Sequence, residues 1–386
     1  MERRDFLKLL SLFSLSGSLP LLSACEKLQK TDPNAPLKIG YLPITDATSL
    51  LVAHAQGLFE KQGLKVEKPL MFRSWSQLVE AFFSGNVNLV HILSPMSLWA
   101  RYGSQAPVKI VMWNHLAGSA LTVSPDINHI TDLSGKTVAI PFWYSIHNIV
   151  LQHLLRANGL RVTEKRPGAG EVKVTVMSPS DMVVALANQA ISGFIVAEPF
   201  NAIAESKGVG KVLRFSGDVW RDHACCVTLM QEFDIQHRPE WVQKVVNALT
   251  EAQVYSLEHR AAIPAMIGRG SGYTPHDPAV LAKVLAPDQT QWQRYAQQGI
   301  IQHPEWQQNR IGFQPYPFDS YLGKLLEMLQ ETHLAGRNDF LTQLRPGQVI
   351  RELNAPQFAR QAIEAGGWVD YFGLQAGWSR TEEIVV

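Results

Sequence analysis

Residues 74–92 read SWSQLVEAFFSGNVNLVHI, and this stretch spells out a helix, a stop and a strand. Ser74 followed three residues later by Gln77 is the capping-box pattern that opens a helix. Leu78, Val79, Phe82 and Phe83 then recur at helical spacing and give one buried face. Gly85 ends the helix, because glycine takes a positive φ without a Cβ penalty. The run from Val87 to Ile92 is short and apolar, as a strand covered on both faces requires. Helix and strand in alternation predict a mainly parallel sheet flanked by helices, so the fold class is α/β.

The pattern repeats in both directions. Strand-like runs are Leu37 to Tyr41, Leu64 to Phe72, Val87 to Ile92, Val108 to Trp113, Ala120 to Val123, Thr137 to Ile140, Val172 to Met177, Phe194 to Ala197 and Val227 to Met230. Ser145 can cap a second helix, with Ile146, Ile149, Val150, Leu154 and Leu155 on its buried face and Gly159 as its stop. After about Gln231 the strands give out. Helical stretches follow at Trp241 to Leu257, Asp319 to Thr332 and Ala355 to Ala365, separated by a Pro-, Gly- and His-rich segment from Ile263 to Phe318.

A length of 386 residues predicts about two domains. With 46% hydrophobic and 18% charged residues the composition is that of a globular protein. The formal net charge of +1 provides no basic footprint, so nucleic acid is not an expected partner.

At the N-terminus Arg3 and Arg4 precede Asp5-Phe6-Leu7-Lys8 and an apolar stretch from Leu9 to Leu22. Basic residues before a short apolar run mark an export signal. The order resembles a twin-arginine signal. Glu2 stands where Ser or Thr is often found, which leaves the general secretion route open. Leu22-Ser23-Ala24-Cys25 resembles a bacterial lipobox, with Cys25 the residue that takes the lipid. The apolar stretch, broken by Gly17 and Pro20, is too short for a transmembrane helix. Residues 26–36 read as a polar tether.

Apart from Cys25 the chain carries only Cys225 and Cys226. Adjacent cysteines seldom pair, since the ring is strained, so no structural disulfide is expected. Among near neighbours in sequence only His223 could join them at a metal, and the reading assigns none: no metal, no cofactor and no catalytic residue.

An ordered series of fragments carries a family resemblance. It begins with Gly40-Tyr41-Leu42-Pro43, Ala53 to Gly57 with Leu58-Phe59, and Gly63-Leu64. Phe83 to Asn88, Gly103, Ala106 to Val111 and Gly118 to Leu121 follow. Asp132 to Ala139 and Ala197-Glu198-Pro199-Phe200 complete it. Together they resemble the nitrate/sulfonate/bicarbonate family of ABC-importer substrate-binding proteins, which also includes receptors for taurine and for thiamine pyrimidine precursors. Asn88 stands where the family usually has Asp, and Ala190-Ile191-Ser192-Gly193 replaces its Gly-x-Val-Asp turn.

The resemblance implies a two-lobed, periplasmic-binding-protein-like fold of type II, with two hinge crossings and a helical C-terminal region. The expected division is an export signal at 1–25, a tether at 26–36, lobe one at 37–121 plus 224–386, and lobe two at 122–223. It implies an extracytoplasmic, lipid-anchored monomer, not an enzyme, that captures a small polar molecule or oxyanion and delivers it to an ABC permease and its ATPase. Two other classes stay open: an enzyme like the synthase of the thiamine pyrimidine precursor, whose cysteine-rich motif Cys225-Cys226 does not reproduce, and a ligand-sensing module for a receptor.

Ligands of open α/β sheets bind beyond the carboxyl ends of strands and between domains. That rule nominates Thr45 and Asp46 after the first strand, Ser94 after the third, and Trp113, Asn114 and His115 after the fourth. From lobe two it nominates Trp143, Tyr144, Ser145, His147, Asn148 and Glu198. A helix starting at Ser145 would offer N–H groups to an anion. Trp113, Trp143 and Tyr144 could stack on a planar ligand, and His91, His115 and His147 could donate to an oxyanion. Asp46 and Glu198 oppose a small anion and favour a ligand with N–H or cationic groups, unless Glu198 caps a helix or braces the hinge.

Overall fold

Among the described residues thirteen strands form: β1 (Ile39–Tyr41), β2 (Leu70–Met71), β3 (Leu89–Leu93), β4 (Val108–Trp113), β5 (Leu116–Ala117), β6 (Ser119–Val123), β7 (Thr137–Ile140), β8 (Arg161–Thr163), β9 (Glu171–Val176), β10 (Gly193–Ala197), β11 (Lys211–Phe215), β12 (Cys226–Gln231) and β13 (Ile311–Gly312). They are seen in a computed structural model that describes residues 35–306 and 309–386. The export signal, Cys25 and the tether up to residue 34 lie outside the described residues.

The strands build two large sheets, ordered β2-β1-β3-β12-β4 and β11-β6-β10-β7-β9-β8. In the first, β1 runs parallel to β2 and β3, while β12 is inserted antiparallel between β3 and β4. The insertion follows from connectivity, because β12 returns to this sheet from the other lobe. In the second sheet β7, β8, β9 and β10 are parallel, and β6 pairs antiparallel with both β10 and the edge strand β11.

The helix after Ser74 forms as its sequence dictates. Ser74 Oγ accepts from the Gln77 N–H at 3.3 Å, and Leu78, Val79 and Phe82 are buried. Gly85 stops it at φ +77°, with open space where a Cβ would stand. In the helix Ile146–Ala157, Ser145 Oγ accepts from the Asn148 N–H at 3.1 Å. Asn88, the departure from the family pattern, accepts from Lys38 N–H and donates to the Pro36 carbonyl, both at 2.9 Å. It ties the turn before β3 to the start of β1.

Three expectations shift. The run Leu64 to Phe72 narrows to β2, because Pro69 offers no N–H to a ladder and Leu70 and Met71 lie half exposed at the sheet edge. The edge strands β8 and β11 carry charged residues that hid them among loops. The boundary drawn between Leu121 and Thr122 falls inside β6, which pairs along its whole length with β10. The chain therefore changes sheets before Ser119.

The two crossings run side by side. Ala117 N–H donates to the His223 carbonyl at 2.9 Å, and Asn114 N–H to the Cys226 carbonyl at 3.2 Å. A third segment lies across them, as β13 pairs antiparallel with β5. The C-terminal helices pack back on lobe one, Pro239–Glu258 against Thr48–Ala55 and Gln357–Ala365 against Pro239–Glu258.

Candidate functional site

Where the crossings meet the loop after β1, the fold buries an unusual set of polar side chains. Asp46, His91, His115, His147, His223, Cys225 and Cys226 are all essentially inaccessible. Asp46 follows β1 in a short 3-10 turn (Thr45–Ala47), and His115 lies between β4 and β5. Cys226 opens β12, with Cys225 just before it. His147 sits in the first turn of the helix Ile146–Ala157 and reaches in from lobe two.

Asp46 Oδ2 lies 3.0 Å from His115 Nε2 and 3.6 Å from Cys226 Sγ. The two sulfurs are 3.9 Å apart, and both thiols are free. His147 Nε2 is 2.9 Å from Ser119 Oγ and 3.8 Å from Cys225 Sγ. His223 Nε2 is 2.9 Å from Ser216 Oγ, and the His91 ring lies 6.4 Å from that of His115.

The electrostatics follow from burial. Loss of water pushes the Asp46 carboxyl up to about 6, with His115 pulling the other way. Burial would depress His115, but the attraction of Asp46 lifts it to about 9. His91, buried and facing His115, is pushed down to about 3. Burial and the Cys225 sulfur raise the Cys226 thiol. Cys225 is held low despite burial by the hydrogen bond from Cys226 and by His147.

Hydrogen bonding is incomplete. Among the described residues Asp46 Oδ1, Asn114 Nδ2, His115 Nδ1 and His147 Nδ1 have no partner although they are buried. Such groups cost about 1–3 kcal/mol each when left unmade. The arrangement suits a guest that accepts or donates hydrogen bonds, or coordinates.

The remaining candidates are engaged with protein. Thr45 spans the lobes, its N–H 2.9 Å and its Oγ1 3.2 Å from the Glu198 carbonyl. Ser94 Oγ donates to the Ala224 carbonyl at 2.9 Å and contacts Tyr321 Oη at 2.8 Å. Asn114 Oδ1 accepts from Thr228 Oγ1 at 2.6 Å. Trp113 packs in the core against Phe318 and Tyr321, with Arg380 over its ring. Trp143 is half-buried with its ring edge on to His333, and Tyr144 stacks on Phe340. Asn148 Nδ2 donates to the carbonyls of Trp143 and His333 at 2.9 and 3.3 Å. Ser145 spends its Oγ on the helix cap and on the Phe142 carbonyl.

Glu198 is spoken for. Its Oε1 lies 2.6 Å from Arg310 Nη1, and its Oε2 accepts from the Ala202 N–H at 3.1 Å, so it caps a helix and braces the hinge. Burial still raises its carboxyl, with Arg310 opposing. Sequence reasoning passed over Arg310 and left the cysteine pair unassigned. No local motif marks Arg310, and Asp46 and His115 lie too far from Cys225 in sequence to suggest a shared site.

A family model described as the NMT1-like family matches residues 30–268. The nitrate/nitrite binding protein NrtA of Nostoc is 24% identical over 56% of this chain and 52% of its own length. The nitrate import ATP-binding protein NrtC of Synechocystis is 26% identical over 61% of this chain and 38% of its own. The chain thus spans about half or less of the length of these curated relatives. Among solved structures, the periplasmic nitrate-binding protein NrtA from Synechocystis superposes with a TM-score of 0.71 at 20% identity, over 89% of this chain and 92% of that one. A ligand-binding component of an ABC-type import system from Staphylococcus aureus, solved with zinc bound, superposes with a TM-score of 0.67 at 21% identity, over 84% and 98%. The fold is that of the periplasmic binding proteins, and the chain belongs to the NMT1-like family.

Proposed function

We propose that this protein is the solute-binding component of an ABC import system, exported and lipid-anchored, which captures a small polar molecule between its lobes and passes it to a permease and its ATPase. The observation that carries this reading is the convergence, at the junction of the two lobes, of buried polar groups from both: Asp46 and His115 from one side, His147 and Ser119 from the other. A guest bridging them would favour the closed arrangement by its differential affinity, and bending at the paired crossings would release it. No chemistry is required of the protein. The family relationship supports the reading, as do the N-terminal arginines and Cys25 for export and anchoring.

Thermal shift against nitrate, bicarbonate, alkanesulfonates, pyrimidines and amino compounds tests it. A true solute at a hundred times its dissociation constant adds about 2.7 kcal/mol of stability. Silence across the whole panel, or turnover of a compound that does bind, would overturn the assignment. The anchor is tested separately, by labelled fatty-acid incorporation that must vanish in Cys25→Ala.

A further inference from the structure

We infer that Asp46, His115, Cys225 and Cys226 form a four-coordinate site for a thiophilic divalent metal of the zinc class. One carboxylate oxygen, one imidazole nitrogen and two sulfurs come within 4.8 Å of one another, all fully buried. A tetrahedral zinc with usual bond lengths has ligand-to-ligand edges of about 3.8 Å for S to S, about 3.6 Å for S to O and about 3.4 Å for N to O. The corresponding separations here are 3.9, 3.6 and 3.0 Å. These three edges lie within tenths of an ångström of the tetrahedral values, and the widest-spaced donors, within 4.8 Å of one another, have about 1 Å to close around an ion.

Proton counting supports the same conclusion. His115 Nε2 accepts from the Cys226 backbone N–H at 3.1 Å, so its lone pair is committed there, yet the same atom faces the Asp46 carboxylate. One nitrogen cannot donate and accept along both contacts. The Cys226 thiol has a single proton, and it faces both Asp46 Oδ2 and Cys225 Sγ. Asp46 Oδ1 has no partner among the described residues. A cation resolves this shortage, since the Asp46 carboxylate and both sulfurs offer it lone pairs and the His115 Nε2 lone pair turns to it from the Cys226 N–H.

The donor set selects the ion. Two thiolates and an imidazole disfavour magnesium and calcium, which prefer oxygen, and suit zinc and its neighbours. His147, held by Ser119, stands behind Cys225 as an outer donor. On binding, each coordinating sulfur or nitrogen that carries a proton, His115 included, releases it to solvent, and metal–sulfur and metal–nitrogen bonds replace the S–H and N–H bonds with no change of oxidation state. Because His115 lies in one crossing and Cys225 ends the other, the ion would fasten the hinge strands together. The site shares Asp46 and His115 with the solute-binding reading, but its test involves no transported solute, so either can fail alone.

The test uses the full chain carrying Cys25→Ala, so that Cys225 and Cys226 are the only thiols. Metal-stripped protein is titrated with Co2+, then with Zn2+, and metal content is measured after dialysis. The expected result is one equivalent retained, intense visible cobalt bands of tetrahedral type and a near-ultraviolet thiolate charge-transfer band, all displaced by Zn2+. The charge-transfer band is lost in Cys226→Ser and weakened in Cys225→Ser. Substoichiometric metal after dialysis, a cobalt spectrum without thiolate character, or spectra unchanged in both variants would overturn the site. Should a variant fail to fold, the stoichiometry and charge-transfer band of the parent decide the matter alone.

Discussion

Arg310 Nη1 lies 2.6 Å from Glu198 Oε1, and this ion pair is buried where the β13 segment crosses the hinge. The same guanidinium contacts Glu205 Oε2 at 2.6 Å, and the Arg310 carbonyl accepts from the Gly118 N–H at 3.0 Å. Arg310 therefore ties the C-terminal region to lobe two through its guanidinium and to a crossing through its backbone carbonyl. A buried pair is worth little over a well-packed apolar substitute, but losing one partner strands the other charge.

Arg310→Met leaves Glu198 buried beside Glu205 without a counter-ion and is expected to cost about 3–5 kcal/mol in urea unfolding. The pH dependence has a definite sign. The folded carboxyl of Glu198 sits above its ordinary value, so its contribution to stability falls as pH rises from the unfolded pKa through the folded one. Removing Arg310 takes away the opposing pull and widens that window. The stability gap between variant and parent must grow between pH 5 and pH 8, and a gap that shrinks contradicts the assignment.

Trp113 and Trp143 were both candidates to stack on a ligand, and they should separate cleanly. Trp113 is enclosed by Phe318 and Tyr321, so Trp113→Ala opens a core cavity costing about 3–5 kcal/mol. Trp143 is only half-buried, and Trp143→Ala is expected to change stability by less than about 1.5 kcal/mol. Equal losses in denaturant midpoint would contradict this placement.

Gly118 and Gly85 offer a second pair. Both have positive φ, +83° and +77°, but a Cβ at Gly85 meets open space. At Gly118 it would lie 3.2 Å from Asp46 Oδ1, His115 Nδ1 and Ile311 Cδ1. Gly85→Ala should cost about 1 kcal/mol, and Gly118→Ala about 1–3 kcal/mol more, because overpacking adds to strain. Thermal unfolding of the two variants side by side reads the difference.

Ser145→Ala removes the side-chain acceptor of the Asn148 N–H. The expected loss is about 1 kcal/mol, with Ser145→Asp restoring most of it. If Ser145→Asp is no better than alanine, the hydroxyl acts through the Phe142 carbonyl instead.

Much of the architecture was legible in the chain itself. Caps at Ser74 and Ser145, stops at Gly85 and Gly159, and apolar runs such as Val87 to Ile92 act over a few residues, so local sequence determines them. The edge strands β8 and β11 were hidden because an edge tolerates charged residues and loses the apolar signature. At the candidate site, the rule that ligands lie beyond strand ends nominated Asp46, His115 and His147, which the fold brings into one buried cluster. Sequence could not separate these from Trp113 or Glu198, since packing decides whether a side chain is free. Only the tertiary structure brought Arg310 to Glu198, and Cys225 and Cys226 to Asp46 and His115. Those partners meet through long-range strand pairing and the return of the chain from lobe two, and contacts between such distant residues leave no mark in local spacing.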